Sequence, residues 1–263
     1  MQRLEGKVAI ITGATGGIGA VSVKRFLSEG AKVAVAGRSL ERAKALADQM
    51  GPNAFAVRCE LSEDDSIKDT VEQTVARFGR LDILFNNGAA TDRSIQGPDT
   101  TIVDIPFETW DEAMSINVRS AMVACRFAIP HMLKSGGGSI INVSSDSGLA
   151  GDRVRVAYGT SKAALMAFTR YAATQYGRQG IRCNCIAPGF VVVPKAEGNQ
   201  AMKDLLFPHV LTPRLGIPED IAALAAYLAA DESGYVTGQI ISCDGGLLAH
   251  QPHYAQNVGG APV

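Results

Sequence analysis

The sequence has few cysteines and almost no net charge. Its five cysteines include no Cys-x-x-Cys pair, and an odd number cannot pair off completely. We therefore expect a reduced, cytoplasmic protein without a metal site, in which Cys183 and Cys185 are small buried side chains rather than ligands. The formal net charge is −1 over 263 residues, so we expect no basic surface for nucleic acid.

Long hydrophobic runs are also missing. The longest apolar runs, such as Val8–Ile11 and Ile221–Ala230, have the lengths of a strand and a helix. None approaches the ~20 residues that span a bilayer. The first strand begins by Lys7, which leaves no room for a signal peptide. We therefore expect no membrane partner.

Short β-branched runs alternate with helical patterns along the whole chain. The strand candidates are Val8–Ile11, Lys32–Ala36, Ala54–Arg58, Ile83–Asn86, Ser139–Val143, Arg182–Ile186 and Gln239–Ser242. The helix candidates are Gly17–Glu29, Leu40–Met50, Asp64–Phe78, Trp110–Leu133, Tyr158–Tyr176 and Pro218–Ala229. This alternation predicts one Rossmann-like, doubly wound α/β domain, with a seven-stranded parallel sheet and helices on both faces.

Two segments and the tail break this alternation. Thr91–Phe107 is a polar loop, and Val192–Gly216 is an irregular insert with an apolar centre at Leu205–Val210. The insert is predicted to be a lid over the substrate, although packing against another subunit would explain it equally well. We therefore predict a catalytic domain at 1–248 and a separate tail at 249–263.

The first predicted strand runs into a glycine-rich turn. Gly13, Gly17 and Gly19 give a Gly-x3-Gly-x-Gly spacing before a helix. Glycines let the backbone approach a ligand, and a helix N-terminus offers unpaired N–H groups to an anion. A plain strand–helix turn could contain the same glycines, but α/β sheets bind ligands at this kind of junction. The turn therefore favours a diphosphate.

A second group of candidates lies between Ser145 and Lys162. Tyr158 and Lys162 are four residues apart at a predicted helix start, so they share one face. A lysine there lowers the pKa of Tyr158, and a phenol so tuned can act as acid or base. Ser145 follows a strand, where its hydroxyl could bind the reacting oxygen. The alternatives without a catalytic role are that Tyr158 and Lys162 are a surface pair and that Ser145 is a helix cap.

Several motifs occur in one order along the chain, and together they are more specific than any one of them. They are Thr12–Gly19, Asn86–Ala89, Asn117, Ser144–Ser145, Tyr158–Lys162 and Pro188–Gly189. This set resembles the short-chain dehydrogenase/reductase family, from Leu4 to about Gly246. The resemblance implies hydride transfer between a nicotinamide cofactor and a secondary alcohol or ketone.

The resemblance assigns catalytic roles to four residues. Tyr158 is the general acid/base, and Lys162 lowers its pKa and binds the nicotinamide ribose. Ser145 orients the substrate oxygen, and Asn117 holds a water that links Lys162 to solvent. The residues predicted to bind the cofactor are Gly13, Thr15, Gly17, Ile18, Gly19, Arg38, Ser39, Glu60, Leu61, Asn87, Gly88, Tyr158, Lys162, Pro188, Gly189 and Val191.

Three positions depart from the family pattern. Gly88-Ala89 reverses the usual Ala-Gly, which would strain Ala89 if a positive φ were needed there. Glu60 stands where an aspartate usually meets adenine, and we expect the longer acid to do the same. Val193 replaces a threonine that would bind the nicotinamide carboxamide, so we expect backbone groups, notably at Val191, to take over.

The end of the second predicted strand indicates the preferred cofactor. In NAD-preferring relatives an acid at the position of Gly37 binds both ribose hydroxyls and repels a 2′-phosphate. Here the acid is absent, and Arg38 and Ser39 follow as phosphate donors. We predict NADP(H), with NAD(H) also accepted, because Ala14–Gly16 lack a second cation. The alternative interpretation is that Arg38 is an ordinary surface arginine and that Ser39 only caps the following helix.

The substrate is predicted from the insert and from the scarcity of charge near Ser145. We expect a hydrophobic, cyclic, steroid-like or terpenoid-like alcohol or ketone, with Arg153 and Arg155 as the nearest cations. A 3-oxoacyl thioester reductase shares the motifs, although the turn Lys134–Gly138 offers one cation to an acidic acyl carrier. A non-catalytic sensor is the other alternative, although such proteins typically lose the tyrosine or lysine.

The resemblance also implies a homotetramer. The predicted contacts are the helices Trp110–Leu133 and Tyr158–Tyr176 and the last strand. Small side chains would let the second helix approach a copy closely, and these are Ala163, Ala164, Ala167, Ala172 and Ala173. The expected partners are therefore a small-molecule substrate and further copies of the chain.

Overall fold

The computed structural model describes residues 2–193 and 199–257 of the chain. Its strands are β1 (Val8–Thr12), β2 (Lys32–Gly37), β3 (Ala54–Arg58), β4 (Ile83–Asn86), β5 (Gly138–Val143), β6 (Ile181–Pro188) and β7 (Ile240–Cys243). Its α-helices are α1 (Gly17–Ser28), α2 (Leu40–Met50), α3 (Asp64–Phe78), α4 (Arg93–Gln96), α5 (Phe107–Met114), α6 (Ser120–Lys134), α7 (Val156–Tyr176), α8 (Gln200–Leu206), α9 (Pro218–Ala229) and α10 (Tyr254–Asn257). The predicted strands are all present.

One predicted helix is wrong in detail. The helix expected over Trp110–Leu133 is two helices, α5 and α6, joined by a π-helical turn at Ser115–Arg119. The apolar pattern does not show this turn, because a π turn keeps the chain helical. It differs from an α-helix in that its backbone hydrogen bonds join residues five apart instead of four apart. In the described part of the chain, no helix has the length and apolar composition that a membrane span requires.

The seven strands are all parallel, in the order β3-β2-β1-β4-β5-β6-β7, which confirms the predicted doubly wound sheet. The chain builds outwards from β1 to β3 and then crosses to the other side of β1 with β4. The loops after β1 and β4 therefore lead to opposite faces. At such a switch point the carboxyl edge of the sheet opens into a crevice.

Helices cover both faces of the sheet, and β1 is buried along its whole length. Ala9 and Ile11 join an apolar cluster with α1, α2 and α9. Val8 and Ile10, which point to the other face, join a second cluster with α3, α6 and α7. Burial on two faces explains why the strands read as continuous apolar runs. The crevice is thus framed by elements that packing holds in place.

The cysteines of β6 have the environment that the sequence predicts. Cys183 and Cys185 are fully buried, and the chain's five cysteines are free thiols. Burial raises the pKa of the Cys185 thiol to about 11. Both side chains therefore serve as small apolar groups in the core.

The segments predicted to be irregular contain short helices. α4 lies within Thr91–Phe107, and α8 with a 3-10 turn lies within Val192–Gly216. Residues 194–198 of the predicted lid and 258–263 of the predicted tail lie outside the described residues. The described part of the tail folds back on the insert, where His250 Nε2 lies 2.7 Å from the carbonyl oxygen of His209. Tail and insert are therefore in contact.

Candidate active site

The glycine-rich turn connects β1 to α1 at the crevice. Gly13 and Gly17 have φ values of 63° and 45°, which favour glycine. At Gly19 a Cβ would stand 2.2 Å from the carbonyl oxygen of Gly13, so only glycine lets α1 begin against the turn. This cradle, which side chains would fill, lies at the start of α1, where the first N–H groups of a helix have no partner within the helix. Such a site fits a diphosphate.

The loop after β4 braces the glycine turn. Asn87 Nδ2 donates to the carbonyl oxygen of Thr12 at 3.0 Å, and the N–H of Gly88 donates to the Thr12 hydroxyl at 3.0 Å. A Cβ at Gly88 would stand 2.5 Å from Leu61 Cδ1, so a larger residue here would require the Leu61 side chain to move. Ala89 does not have a positive φ. The reversed Gly-Ala order therefore causes no backbone strain.

Two arginines lie at the outer end of the crevice. Arg38 Nη1 lies 2.8 Å from Asp92 Oδ2, and both side chains are exposed. Ser39 caps α2 by accepting a hydrogen bond from the N–H of Arg42 at 3.2 Å. Arg42 Nη2 donates to the carbonyl oxygen of Thr15 at 3.0 Å. No sequence motif marks Arg42, a cation of α2 that reaches the glycine turn.

Gly37 and Glu60 lie at the same end. A Cβ at Gly37 would stand 2.8 Å from Thr15 Cγ2, so Thr15 occupies the space that an acidic side chain would need. The N–H of Glu60 donates to Ser66 Oγ at 2.9 Å, and its carboxylate accepts from the Ser62 hydroxyl at 3.2 Å. Glu60 is therefore held just after the end of β3.

The loop after β6 completes the edge. Val191 forms a parallel bridge with Gly216, which closes the base of the insert. A Cβ at Gly17 would meet Val193 Cγ1 at 3.1 Å, so the insert begins directly over the glycine turn. The other residues predicted to bind the cofactor at this edge are Ile18 in the first turn of α1, Leu61 after β3, Pro188 at the end of β6, and Gly189 after it.

Ser145 follows β5 and caps a single 3-10 turn. Its Oγ donates to Asp146 Oδ1 at 2.8 Å and accepts from the N–H of Ser147 at 3.2 Å. Burial raises the pKa of the Asp146 carboxyl above its ordinary value. A hydroxyl has one proton, so a substrate oxygen that accepts from Ser145 has to compete with Asp146. The sequence motif does not show this competition.

Tyr158 and Lys162 lie one turn apart on α7. Lys162 Nζ is 5.6 Å from the centroid of the Tyr158 ring and donates to the carbonyl oxygen of Val143 at 2.8 Å. Lys162 is 1% exposed, and burial lowers its pKa to about 8. The structure therefore brings the predicted pair together, with a lysine that changes charge in mildly alkaline solution.

The π-helical turn places Asn117 beside α7. Asn117 Oδ1 accepts from the N–H of Ala90 at 2.8 Å, and its Nδ2 donates to Ser161 Oγ at 2.9 Å. The side chain thus ties α7 to the loop after β4. Each end of the amide has one partner among the described residues, which leaves a second N–H at Nδ2 and a second lone pair at Oδ1 for the predicted water.

A carboxylate from a distant segment holds the start of α7. Asp99 is buried, and its two carboxylate oxygens accept from the N–H groups of Ala157 and Tyr158, each at 2.9 Å. The carbonyl oxygen of Asp99 accepts from the N–H of Arg155 at 2.9 Å. Sequence analysis missed Asp99, because it lies in a segment that showed only polar character and no motif.

Arg155 lies directly against the candidate acid/base. Its guanidinium carbon is 4.3 Å from the centroid of the Tyr158 ring. Burial raises the pKa of Tyr158 above its ordinary value, and the charge of Arg155 is the strongest of the effects that oppose this. The resemblance assigns the lowering of this pKa to Lys162. In the structure burial raises the pKa of Tyr158, and the nearer cation that opposes this is Arg155.

A cavity of about 610 Å³ adjoins the site. It is lined by residues 147–156 and by Ile102 and Val103, which are both strongly exposed. Ser145 and Tyr158 are not among its lining residues. The reacting groups therefore lie in the crevice at the sheet edge and outside this cavity.

Comparison with known proteins places this chain among NAD(P)(H)-dependent oxidoreductases. A family model described as enoyl-(acyl carrier protein) reductase matches residues 13–248. A 7alpha-hydroxysteroid dehydrogenase of Bacteroides fragilis is 39% identical, over 96% of this chain and 98% of that protein. A 3-oxoacyl-(acyl-carrier-protein) reductase of Thermotoga maritima is 35% identical, over 94% and 99%.

A solved structure extends the likeness to three dimensions. A short-chain type dehydrogenase/reductase from Mycobacterium ulcerans has a TM-score of 0.87 at 25% identity, with 94% of this chain and 92% of that chain covered. The chain belongs to the short-chain dehydrogenase/reductase family. It is an enzyme that uses NAD(P)(H) and acts on small molecules carrying a CH–OH or keto group.

Proposed function

We propose that the protein interconverts a hydrophobic secondary alcohol and its ketone with NADP(H) as the preferred cofactor. The observation that carries this proposal is the grouping of Ser145, Tyr158 and Lys162 at the carboxyl edge of the sheet, beside the glycine turn. The phenol and the ammonium group lie 5.6 Å apart, measured from the ring centroid. These are the groups that proton transfer to a substrate oxygen requires.

Each side chain has one task in this proposal. The bound nicotinamide supplies or accepts the hydride. Tyr158 donates a proton from its hydroxyl to the substrate oxygen in reduction and removes it in oxidation. Ser145 donates a hydrogen bond to the same oxygen, and Lys162 holds the nicotinamide ribose and favours the phenolate. Asn117 keeps α7 at its distance from the loop after β4.

The preference for NADP(H) is proposed from the outer end of the crevice. Arg38 follows β2, and Arg42 reaches from α2 to the carbonyl oxygen of Thr15 in the glycine turn. The ribose of a dinucleotide meets the protein at this end of the crevice in this fold. Gly37 leaves no acid to repel a phosphate, and Ser39 adds a hydroxyl. Guanidinium groups bind phosphate through paired, charge-assisted hydrogen bonds.

The substrate class is supported by the apolar insert and by relatives. Leu205 and Phe207 of the insert are 62% and 47% exposed, so apolar surface is available beside the crevice. One relative is named for a hydroxysteroid. We propose a cyclic, steroid-like or terpenoid-like alcohol or ketone. The alternative of a 3-oxoacyl thioester is supported by the Thermotoga maritima relative.

The test is a substrate screen in which the oxidation of NADPH and, in parallel, of NADH is measured. The panel contains steroid ketones, small cyclic ketones, short charged oxoacids and a 3-oxoacyl thioester. We expect the highest kcat/KM for a cyclic ketone with NADPH. Preference for the thioester would replace the proposal with the alternative function. Cofactor binding without turnover of any substrate would favour a sensor.

We also propose that the enzyme is a cytoplasmic homotetramer whose catalytic domain ends near residue 248. Tyr171 on α7 is 68% exposed and Met122 on α6 is 38% exposed, so the two helices predicted to meet a partner present apolar surface. Static light scattering at micromolar concentration should give four times the chain mass of 27.6 kDa. A monomer mass would contradict this assembly.

A further inference from the structure

The residue before α7 has a backbone conformation that is costly for its side chain. Arg155 has a φ of 67°, and it is the only described residue other than glycine with a positive φ. Such conformations are unfavourable for a side chain with a Cβ and persist where the surroundings impose them. The surroundings here are Asp99, which binds the N–H groups of Arg155, Ala157 and Tyr158. One buried carboxylate residue therefore fixes both the arginine and the tyrosine.

This backbone places the guanidinium over the ring of Tyr158. The distance to the centroid, 4.3 Å, is within the range of a cation–π contact. Arg155 Nε is buried and has no hydrogen-bond partner within 2–193 and 199–257. The guanidinium is therefore held against the tyrosine without a hydrogen bond at Nε that would fix it to another group.

The two cations near Tyr158 differ in distance and in permanence. Lys162 Nζ is farther from the ring, at 5.6 Å, and is committed to the carbonyl oxygen of Val143. Burial lowers the pKa of Lys162 to about 8, so its charge is lost as the pH rises through that value. An arginine keeps its charge throughout. Above about pH 8, Arg155 is thus both the nearer of the two groups and the one that stays positively charged.

We propose that Arg155 is a positioning residue that favours the phenolate of Tyr158, a role that the sequence motif gives to Lys162 alone. The proposal rests on the proposed role of Tyr158 as acid/base. A positive charge within about 4–6 Å of an acid favours its ionised form, with shifts of about 1–3 pH units. Arg155 therefore sets the pH at which the tyrosine can remove a proton from an alcohol.

The other groups that face Tyr158 act in both directions. Ser145 lowers its pKa through a hydrogen bond, and the charge of Asp146 raises it. Burial acts against ionisation and is the largest influence. Arg155 therefore opposes burial and Asp146, and Lys162 contributes charge only below the pH at which it is neutralised.

The experiment compares Arg155→Asn, Arg155→Lys and the control Arg153→Asn. Asparagine tolerates a positive φ and removes the charge, whereas lysine keeps the charge. Arg153 is an exposed neighbour on the same loop. The first measurement is the tyrosinate absorbance of the enzyme during a pH titration, with Tyr158→Phe subtracted to isolate Tyr158. The second is the pH dependence of kcat/KM for alcohol oxidation.

We expect Arg155→Asn to move both midpoints upward by about 1 pH unit, and Arg155→Lys to restore most of the shift. Arg153→Asn should leave them unchanged. An unchanged tyrosinate midpoint in Arg155→Asn would overturn the proposal. A shift that Arg155→Lys does not reverse would overturn it as well, since the effect would then be structural. A fully active Tyr158→Phe enzyme would instead refute the proposed function, while the titration would still report on Arg155.

Discussion

The two ends of the crevice hold their cations in different ways. At the outer end, Arg38 is 68% exposed and its partner Asp92 is 44% exposed. At the inner end, Lys162 is almost completely buried, and Arg155 lies against an aromatic ring. Exposed ion pairs contribute little and are screened by salt, whereas buried charges interact strongly and are costly to maintain. The outer end can therefore change at small cost, and the inner end cannot.

The largest expected effect is at the inner end. Tyr158→Phe should lower kcat by about 10²–10⁴-fold, because it removes the proton-transfer group alone. Cofactor binding, measured by fluorescence titration with NADPH, should stay nearly unchanged. A variant that keeps more than about a tenth of the wild-type kcat would contradict the acid/base role.

The next effect is at the outer end. Arg38→Ala should weaken NADPH binding by roughly 1.5–3 kcal/mol, the scale of hydrogen bonds to charged groups, and barely change NADH binding. The measurement is the Kd of both cofactors for Arg38→Ala and Arg42→Ala, with Arg77→Ala on α3 as a control. Equal losses for both cofactors would show that these arginines do not read the 2′-phosphate.

The buried lysine should reduce stability at neutral pH. Its folded-state pKa of about 8 is below the ordinary 10.5, so the folded protein gives up this proton more readily than the unfolded chain. The penalty is full below about pH 8 and is relieved as the pH rises towards 10.5. Lys162→Met should therefore be more stable than wild type at pH 7 by roughly 1–3 kcal/mol, less so at higher pH.

Urea unfolding at pH 7 and at pH 9.5 measures this difference, with the exposed Lys24→Met as the matched control. The gain in Lys162→Met should shrink at the higher pH, while Lys24→Met should stay close to wild type at both. A Lys162→Met enzyme that is less stable than wild type would mean that its bond to the Val143 carbonyl outweighs the cost of burying the charge.

The smallest effect concerns the carboxylate that pairs with Arg38. Asp92→Asn should tighten NADPH binding by roughly 0.2–1 kcal/mol, because a phosphate no longer competes with an exposed carboxylate. The gain should fade as salt is added, since exposed charges are screened. Isothermal titration at low and high salt tests this. If the gain in NADPH affinity did not depend on salt, the charges at the outer end of the crevice would not be screened as exposed charges are.

The sequence predicted the scaffold well, because the central strands β1, β4 and β5 are buried on both faces and read as apolar runs between helical patterns. Strand β3 and helices α2, α3 and α9 have the predicted bounds. The glycine turn and the Tyr158–Lys162 spacing were also informative, because geometry restricts which residues can occupy them. These features depend on local sequence, which is why they could be predicted.

The parts that sequence analysis missed depend on contacts between distant segments. Asp99 is 59 positions from Tyr158, to which it is bonded. The position of Arg155 follows from a single positive φ that an arginine rarely adopts. Arg42 reaches the glycine turn only because α2 packs beside it. No periodicity or motif encodes these relations, and the π turn at Asn117 is hidden within an ordinary helical pattern.

The bonds of Asp99 also limit how this enzyme can be re-engineered. The segment 91–107 resembles an exchangeable surface loop, and grafting a relative's loop there would be an obvious way to alter substrate range. Such a graft would remove the carboxylate that orients the start of α7, so the tyrosine would lose its alignment although no motif residue had changed. Any transplanted loop therefore has to carry an acid at the position of Asp99, which accepts from the backbone N–H groups of Ala157 and Tyr158.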